Sequence, residues 1–532
     1  VILVLLTVPV FQKLGSEFMP PLDEGSLFYM PTTMPGISIT EAGKLLQVTD
    51  RIIKSFPEVD QVLGKAGRAE TSTDPAPLSM LETLVILKPK DQWKKVDTWY
   101  SSWAPGWLSS LLVRITPDTI STADLVSRMN ESLRLPGLSN AWTMPIKGRI
   151  DMLTTGIRTP VGLKISGGNL VQIEQIGAQV ETVLKQVQGT RSVFAERTGG
   201  GYFLDIDWNR DELARYGLSV DQAQQSVQNA IGGDNVAVAI QGRERYSVNV
   251  RYLRDFRSSP EAIGRVLVPA VDGRQQLPLS QLADVSISTG PAMIRDEDGM
   301  LTGYVYVDIA GQDPGSYIAQ ADRLMKEKLE LPAGYAVTWS GQYEAMQRIR
   351  ERLGIVVPLT IFLIVLLLYL NTRSLAKTAI VLLAVPFSAV GAVWMIHLLG
   401  YNMSIGVWVG FIALLGVDAE MGVFMLLYLD LAYERAKSEG RMQTRDDLHT
   451  AIVQGAAKRI RPKFMTVATM LFGLIPIMWS TGTGADVMKH IAAPLVGGVF
   501  TSFLMELLVY PPVYEIWKWN TELRNRTSPE GS

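Results

Sequence analysis

Two carboxylates, Asp418 and Glu420, lie inside an otherwise apolar stretch, residues 401–429. A helix rising about 1.5 Å per residue sets Glu420 roughly 14 Å from the inner end of that stretch. A carboxylate at such depth costs at least a few kcal/mol, so the default expectation is a functional group facing a bundle interior or a wet cavity. Burial and a nearby cation together tune a carboxyl to take and lose protons near neutral pH, which is the chemistry of a proton relay. Helix packing by a neutral acid is the plainer alternative. Two residues apart means about 200° around a helix, so the two acids are not expected to share one site. Lys463 borders the apolar run 464–485 beside Arg459 and Arg461, where interfacial anchoring is the simpler reading. Glu506 sits near the inner end of the run 491–514, where its carboxyl can reach water.

A second kind of chemistry is offered by sulfur. Met30, Met80 and Met152 stand near polar or charged neighbours, in FYMP, SMLET and RIDML. A thioether is a soft, neutral ligand suited to Cu(I) and Ag(I) rather than to hard cations. Spacings of 50 and 72 residues do not bring the three together, so taken alone they read as core methionines.

Composition narrows the field. Of 532 residues 47% are hydrophobic and 19% charged, against roughly 25% charged in an ordinary soluble protein. The 50 basic and 52 acidic residues nearly cancel, which gives no electrostatic footprint for nucleic acid. With no cysteine, disulfides, thiolate metal sites and Cys nucleophiles are excluded. His397, His449 and His490 lack paired zinc-site spacing, and the glycines at 199–201 and 482–484 lack the lysine and helix context of a nucleotide loop.

The elements that must position these residues follow from where the apolar residues crowd. Runs at 354–370, 378–399, 401–429, 464–485 and 491–514 are predicted to cross a bilayer. The segment 430–463 carries eight Lys and Arg residues and is predicted to be a cytoplasmic loop, which puts everything before residue 354 on the far side. Residues 1–12 read as the outer end of a truncated transmembrane helix.

Between them lies a large extramembrane block in which a unit recurs: strand, amphipathic helix, then two strands joined by a glycine-bearing turn. The copies are 26–30, 39–56, 59–66 and 84–87, then 161–165, 170–187, 191–196 and 202–208. A third series, 304–309, 316–329 and 336–340, closes the block. The expected fold class is α+β plus membrane α-helical: two ferredoxin-like βαβ subdomains, 13–160 and 161–353, with a strand-rich docking insertion near 234–290, then five transmembrane helices over 354–516 and a cytoplasmic tail, 517–532. The tryptophan-rich segment 93–113 reads as a surface helical hairpin, with a partner-docking or membrane-facing patch as the alternative.

This arrangement, together with GSEFMPPLDEGSLFYMPTTMPGIS (15–38), GRIDMLTTGIRTPVGLKISG (148–167), GVDAEMGVFMLLYL (416–429) and RIRPKFMTVATM (459–470), resembles the C-terminal half of a resistance-nodulation-division transporter of the heavy-metal efflux branch, copper/silver permease type. The resemblance implies that Met30, Met80 and Met152 form a three-methionine metal site, with Glu24, Asp74, Glu82, Arg149 and Arg158 as charges of the surrounding cleft. It implies a proton relay through Glu420 and Lys463, with Asp418 standing beside the relay acid where the branch has a small residue, and Met488 on the metal path. It further implies a proton/metal antiporter rather than an enzyme, with no permanently bound cofactor and Cu(I) or Ag(I) as cargo. The implied setting is the inner membrane of a Gram-negative bacterium, as a homotrimer completed by an N-terminal half and docked to a periplasmic adaptor and an outer-membrane channel. Divalent-metal or drug efflux, or a non-metal secretion role, are the alternatives.

Overall fold

In the computed structural model, residues 2–523 are described apart from 21, 68–76, 100, 107, 109–112, 114–117, 198, 292 and 481. Buried and half-buried residues alternate along Ser26–Tyr29, which puts Leu27 and Tyr29 on the core face of the first sheet. That sheet is antiparallel, in the order Val59–Ala66, Leu81–Leu87, Ser26–Tyr29, Trp142–Thr143. Helices Ile39–Lys54 and Thr122–Ser132 start where Ser38 and Ser121 accept hydrogen bonds from the amides of Glu41 and Asp124. Their residues Ile53, Leu125 and Met129 pack with Leu27, Tyr29 and Val85. Each such burial contributes roughly 1.5–3 kcal/mol.

The second sheet repeats this permutation: Thr190–Ala195, Met300–Ile309, Val161–Gly167, Ala336–Gly341. Leu170–Leu184 buries Ile173, Ile176, Val180 and Val183 at helical spacing, and Pro314–Lys328 adds Tyr317, Ile318 and Ala321 to the same core. Both units are therefore ferredoxin-like. Here the structure corrects two expectations. Gly199–Trp208 does not pair with Thr190–Ala195 but with Ala283–Pro291, in a separate ribbon. The supposed third series is the missing half of the second unit. Burial explains both: Tyr304 to Asp308 are buried without a break, as a central strand requires, whereas Gly199–Trp208 has a largely exposed pattern.

Residues between those halves form an insertion with its own small core around Leu213, Ala223, Val268, Leu277 and Leu282. It carries the hairpin Asp234–Gln241/Glu244–Val250, in which every residue is exposed. Of the tryptophan-rich segment, Trp93 is buried and donates to the Lys88 carbonyl at 2.7 Å, while Trp99 and Trp103 are exposed, their rings tilted at 41° with centroids 5.6 Å apart. Residues 100, 107 and 109–112 of that segment, Tyr100 and Trp107 among them, lie outside the described residues.

Among the described residues, five helical spans are long and apolar enough to cross a membrane: Gln342–Thr372, Leu375–Leu398, Ile405–Ser438, Arg445–Met478 and Ala485–Leu523. In the Gln342–Thr372 helix only Gln342 and Leu368 are buried. A face of exposed Ile, Leu, Val and Phe side chains on that scale suits a lipid solvent, not water. The helices run further than their apolar cores. The expected loop 430–463 is mostly the polar continuation of two helices, joined by a short turn after Ser438 and capped by Thr444, which forms a reciprocal pair with Asp447. Lys463 is thereby moved from a helix edge to a helix interior. The apolar helix Ile2–Lys13 lies against Ala384–Leu398, where Trp394 donates to Thr7 Oγ1 at 3.0 Å.

Ala384–Leu398 and Ala485–Leu508 approach most closely at Gly391 and Gly497, where a Cβ added to Gly391 would meet the Gly497 carbonyl oxygen at 2.1 Å. Gly391→Ala and Gly497→Ala are each expected to destabilise the bundle by about 1–3 kcal/mol through overpacking. Gly473→Ala, with nothing within 4 Å of the added carbon, is expected to leave stability within about 0.5 kcal/mol. Thermal unfolding in detergent checks the contrast.

Candidate metal and proton sites

The first sheet brings two of the three methionine-bearing segments edge to edge. Met30 follows the Ser26–Tyr29 strand and its amide donates to the Ala141 carbonyl at 2.9 Å. Thr32 bridges Met80 on one side and Ser139 on the other, and Leu81 donates to the Pro31 carbonyl at 3.0 Å. Met152 comes from the helix Pro145–Thr155, which starts two residues after the Trp142–Thr143 strand and ends at Gly156 in the left-handed region, φ 77°. Met80 and Met152 line one cavity of about 250 Å³ between the two ferredoxin-like units, with Thr32, Arg158, Phe194, Tyr304 and Tyr306. Met30 is fully buried and is not part of that lining.

Arg158 is the buried cation of this cavity. Its Nη1 donates to Met80 Sδ at 2.7 Å, its Nη2 donates to Thr32 Oγ1, and its Cζ lies 4.0 Å from the centroid of the Tyr306 ring. Burial pulls the guanidinium below its usual range, against the opposing pull of Tyr306 and Glu196. Across the cavity Glu196 pairs with Arg295. Neither Thr32 nor Tyr306 stands out in the sequence; only the folded topology brings them to Arg158.

Of the other charges expected around the cleft, Glu24, Glu82 and Arg149 are not in that lining. Glu24 accepts from the amides of Ile146 and Lys147 at 2.8 and 3.0 Å, so it caps the helix that carries Met152. Burial lowers the Lys147 ammonium, while Asp151, Glu17 and Glu24 oppose that shift. Glu82 is buried and its Oε2 meets Lys65 at 2.9 Å, while its Oε1 has no hydrogen-bond partner among the described residues. Arg149 is half-buried on the capped helix, and Met488 is exposed at the start of the Ala485–Leu508 helix. Asp74 lies outside the described residues.

Within the membrane bundle the sequence expectations are redistributed. Asp418 is buried and Glu420 is exposed, as the angle between them requires. Lys463 is fully buried, which corrects the reading of it as an interfacial anchor. Its partner in this structure is Glu506 rather than Glu420. Glu506 in turn has no exposed surface, although its place near the end of an apolar run suggested contact with water. The one available signal for it was the same as for Asp418: a lone acid in an otherwise apolar run.

The model of the AcrB/AcrD/AcrF family matches residues 1–102 and 113–518. The chain is 42% identical to SilA of Salmonella typhimurium over 510 residues, covering 95% of this chain and 46% of that protein. It is 41% identical to the cation efflux system protein CusA of Escherichia coli K12 over 508 residues, with 95% and 46% covered. It is 30% identical over 520 residues to the cobalt-zinc-cadmium resistance protein CzcA of Cupriavidus metallidurans, with 96% and 46% covered. A crystal structure described as a heavy metal efflux pump superposes with a TM-score of 0.78 at 28% identity, covering 97% of this chain and 49% of that one. The chain thus spans about half the length of the relatives it matches.

Replacing Glu24 with Ala removes both hydrogen bonds at the start of the Pro145–Thr155 helix. A loss of about 1 kcal/mol of local stability is expected, read as faster amide hydrogen exchange across residues 146–155 with the second ferredoxin-like unit unaffected.

Proposed function

Because this chain belongs to the AcrB/AcrD/AcrF family, we propose that it is the C-terminal half of a proton-driven exporter of monovalent copper and silver. The observation that carries this reading is the pair of thioethers, Met80 and Met152, in the wall of one cavity between the two ferredoxin-like units. Met30 is the third sulfur, reached by a side-chain or strand shift that opens the cavity toward it. Three soft, neutral donors favour a d10 monovalent ion over a hard divalent one. Among the described residues no group of three or more His, Asp or Glu side chains gathers in a way that could hold a metal ion. The similarity to SilA and CusA, stronger than that to the cobalt-zinc-cadmium protein, points the same way.

In this mechanism the ion is cargo. It enters the cavity, displaces Arg158 from Met80 Sδ and is held by the thioethers. Arg158 then keeps its place through Thr32 and the Tyr306 ring. The charges of Glu24, Asp74, Glu82 and Arg149 shape the approach, and Met488 receives the ion on a path near the membrane surface. Proton movement through Glu420, Lys463 and Asp418 drives the helices, and the motion reaches the cavity through the segments that join the two parts. The assembly is a homotrimer in the inner membrane of a Gram-negative bacterium, completed by an N-terminal half and docked to a periplasmic adaptor and an outer-membrane channel. The exposed hairpin Asp234–Val250 and its insertion are suited to that docking.

The test expresses this chain with its N-terminal counterpart in an efflux-deficient bacterium. Copper and silver tolerance is expected for the native chain and its loss for Met80→Ile, with equal membrane abundance by immunoblot. Full tolerance in Met80→Ile would falsify the thioether site, and protection against zinc alone would move the assignment to divalent cations.

A further inference from the structure

Three ionisable side chains from three membrane helices meet out of reach of water: Asp418 at 1% exposure, Lys463 at 0% and Glu506 at 0%. Lys463 Nζ donates to Glu506 Oε2. Among the described residues, the second oxygen of Glu506, both oxygens of Asp418 and the Ser502 hydroxyl make no hydrogen bond of ordinary geometry, although Ser502 lies beside both carboxyls. Asp418 feels the charges of both Lys463 and Glu506. With all three ionised, the cluster holds two negative charges and one positive, and a surplus buried charge is strongly disfavoured.

The surroundings supply few donors: the Ser502 hydroxyl lies beside both carboxyls but can donate to only one of them. Tyr510, which faces both carboxyls, already donates to the Val381 carbonyl at 2.7 Å. Ser388, beside Asp418, donates to the Val385 carbonyl at 3.0 Å. Arg459 lies one turn before Lys463 and its charge reaches Lys463 and Glu506, but the residue is half-buried and its guanidinium, whose buried Nε has no hydrogen-bond partner among the described residues, is set over the rings of Phe424 and Tyr428, 5.0 and 5.6 Å from their centroids, rather than against either carboxylate. One proton added to Asp418 resolves both deficits. It cancels the surplus charge and turns an acceptor-only group into an O–H donor, with the free oxygens of Glu506 and Ser502 as acceptors.

We propose that Asp418, Glu506 and Lys463 form a proton-binding site contained within this chain, in which Asp418 takes up and returns one proton while Glu506 positions Lys463 as the counter-charge. On uptake an Asp418 O–H bond forms and the site becomes neutral. On release that bond breaks, the proton passes to water admitted when a shift of the helices opens the site, and the ammonium is drawn from Glu506 toward the new Asp418 carboxylate. The inference rests on the reading of these helices as a proton pathway; it adds Glu506 and Ser502 to that pathway and gives Asp418 a role that does not need Glu420.

The complete transporter, this chain with its N-terminal counterpart, is taken through a pH step in an attenuated-total-reflection infrared cell without metal. Expected is a slowly deuterating carbonyl band of a buried protonated carboxyl that disappears at high pH, is lost in Asp418→Asn, and titrates at a different midpoint in Glu506→Gln. A band that persists unchanged in Asp418→Asn overturns the proposal, as does one removed by sodium at fixed pH. Should Asp418→Asn fail to fold, an unaltered midpoint in Glu506→Gln overturns it. No metal is present, so the result is separate from the tolerance assay: metal tolerance that depends on Met80 but no Asp418 band keeps the exporter and removes this site.

Discussion

An ammonium and a carboxylate with no exposed surface, Lys463 and Glu506, face each other inside a bundle whose outer faces are apolar. Each charge alone would cost several kcal/mol to strip of water, so loss of either partner leaves the other dependent on Asp418 for compensation. The constraint ties the Arg445–Met478 helix to the Ala485–Leu508 helix at the depth where Asp418 also points inward. A second ionic contact of the bundle joins Lys377, Asp430 and Tyr514, where Asp430 accepts from both partners at 2.5 Å.

The extramembrane units are fastened to that bundle by a short strap. Ser16 pairs with Met403, and its amide donates to Asp313, the residue that also caps the Pro314–Lys328 helix. Glu17 accepts from Asn402 at 3.1 Å and lies 3.9 Å from His490, which stacks on Tyr401. Burial raises the Glu17 carboxyl, and Lys147 on the Met152 helix opposes that shift. One carboxylate therefore feels both the outer end of a membrane helix and the helix that lines the cavity.

The membrane helices and the sheet strands were legible because both follow simple periodicities: unbroken apolar runs in one case, alternation or 3.6-residue spacing in the other. What the sequence could not disclose was partnership. Residues 202–208 have the alternation of a strand, and only the competing burial of residues 304–308 decides which sheet accepts them. Lys463 looked like an edge residue because its helix begins with a long polar segment, which carries the backbone through the apparent boundary. Glu506 was readable as an acid in an apolar run, but its contact with Lys463 spans 43 residues. The place of Met80 and Met152 in one cavity likewise depends on contacts between separate units, and family likeness, not spacing, pointed to them.

The close approach at Gly391 and Gly497 has a mechanical meaning. Two backbones that touch, carbonyl oxygen against α-carbon, have no side-chain cushion in which to slide or roll, because interfaces this tight shift in discrete steps rather than by continuous deformation. Ala384–Leu398 and Ala485–Leu508 accordingly behave as a single stator. The Ile405–Ser438 helix shares that tightness, since a Cβ added to Gly410 would meet the Ile491 carbonyl oxygen at 2.5 Å, so Asp418 and Glu506 sit on helices held in one register and Lys463 is the member of the trio that joins them by a side-chain contact from a third helix.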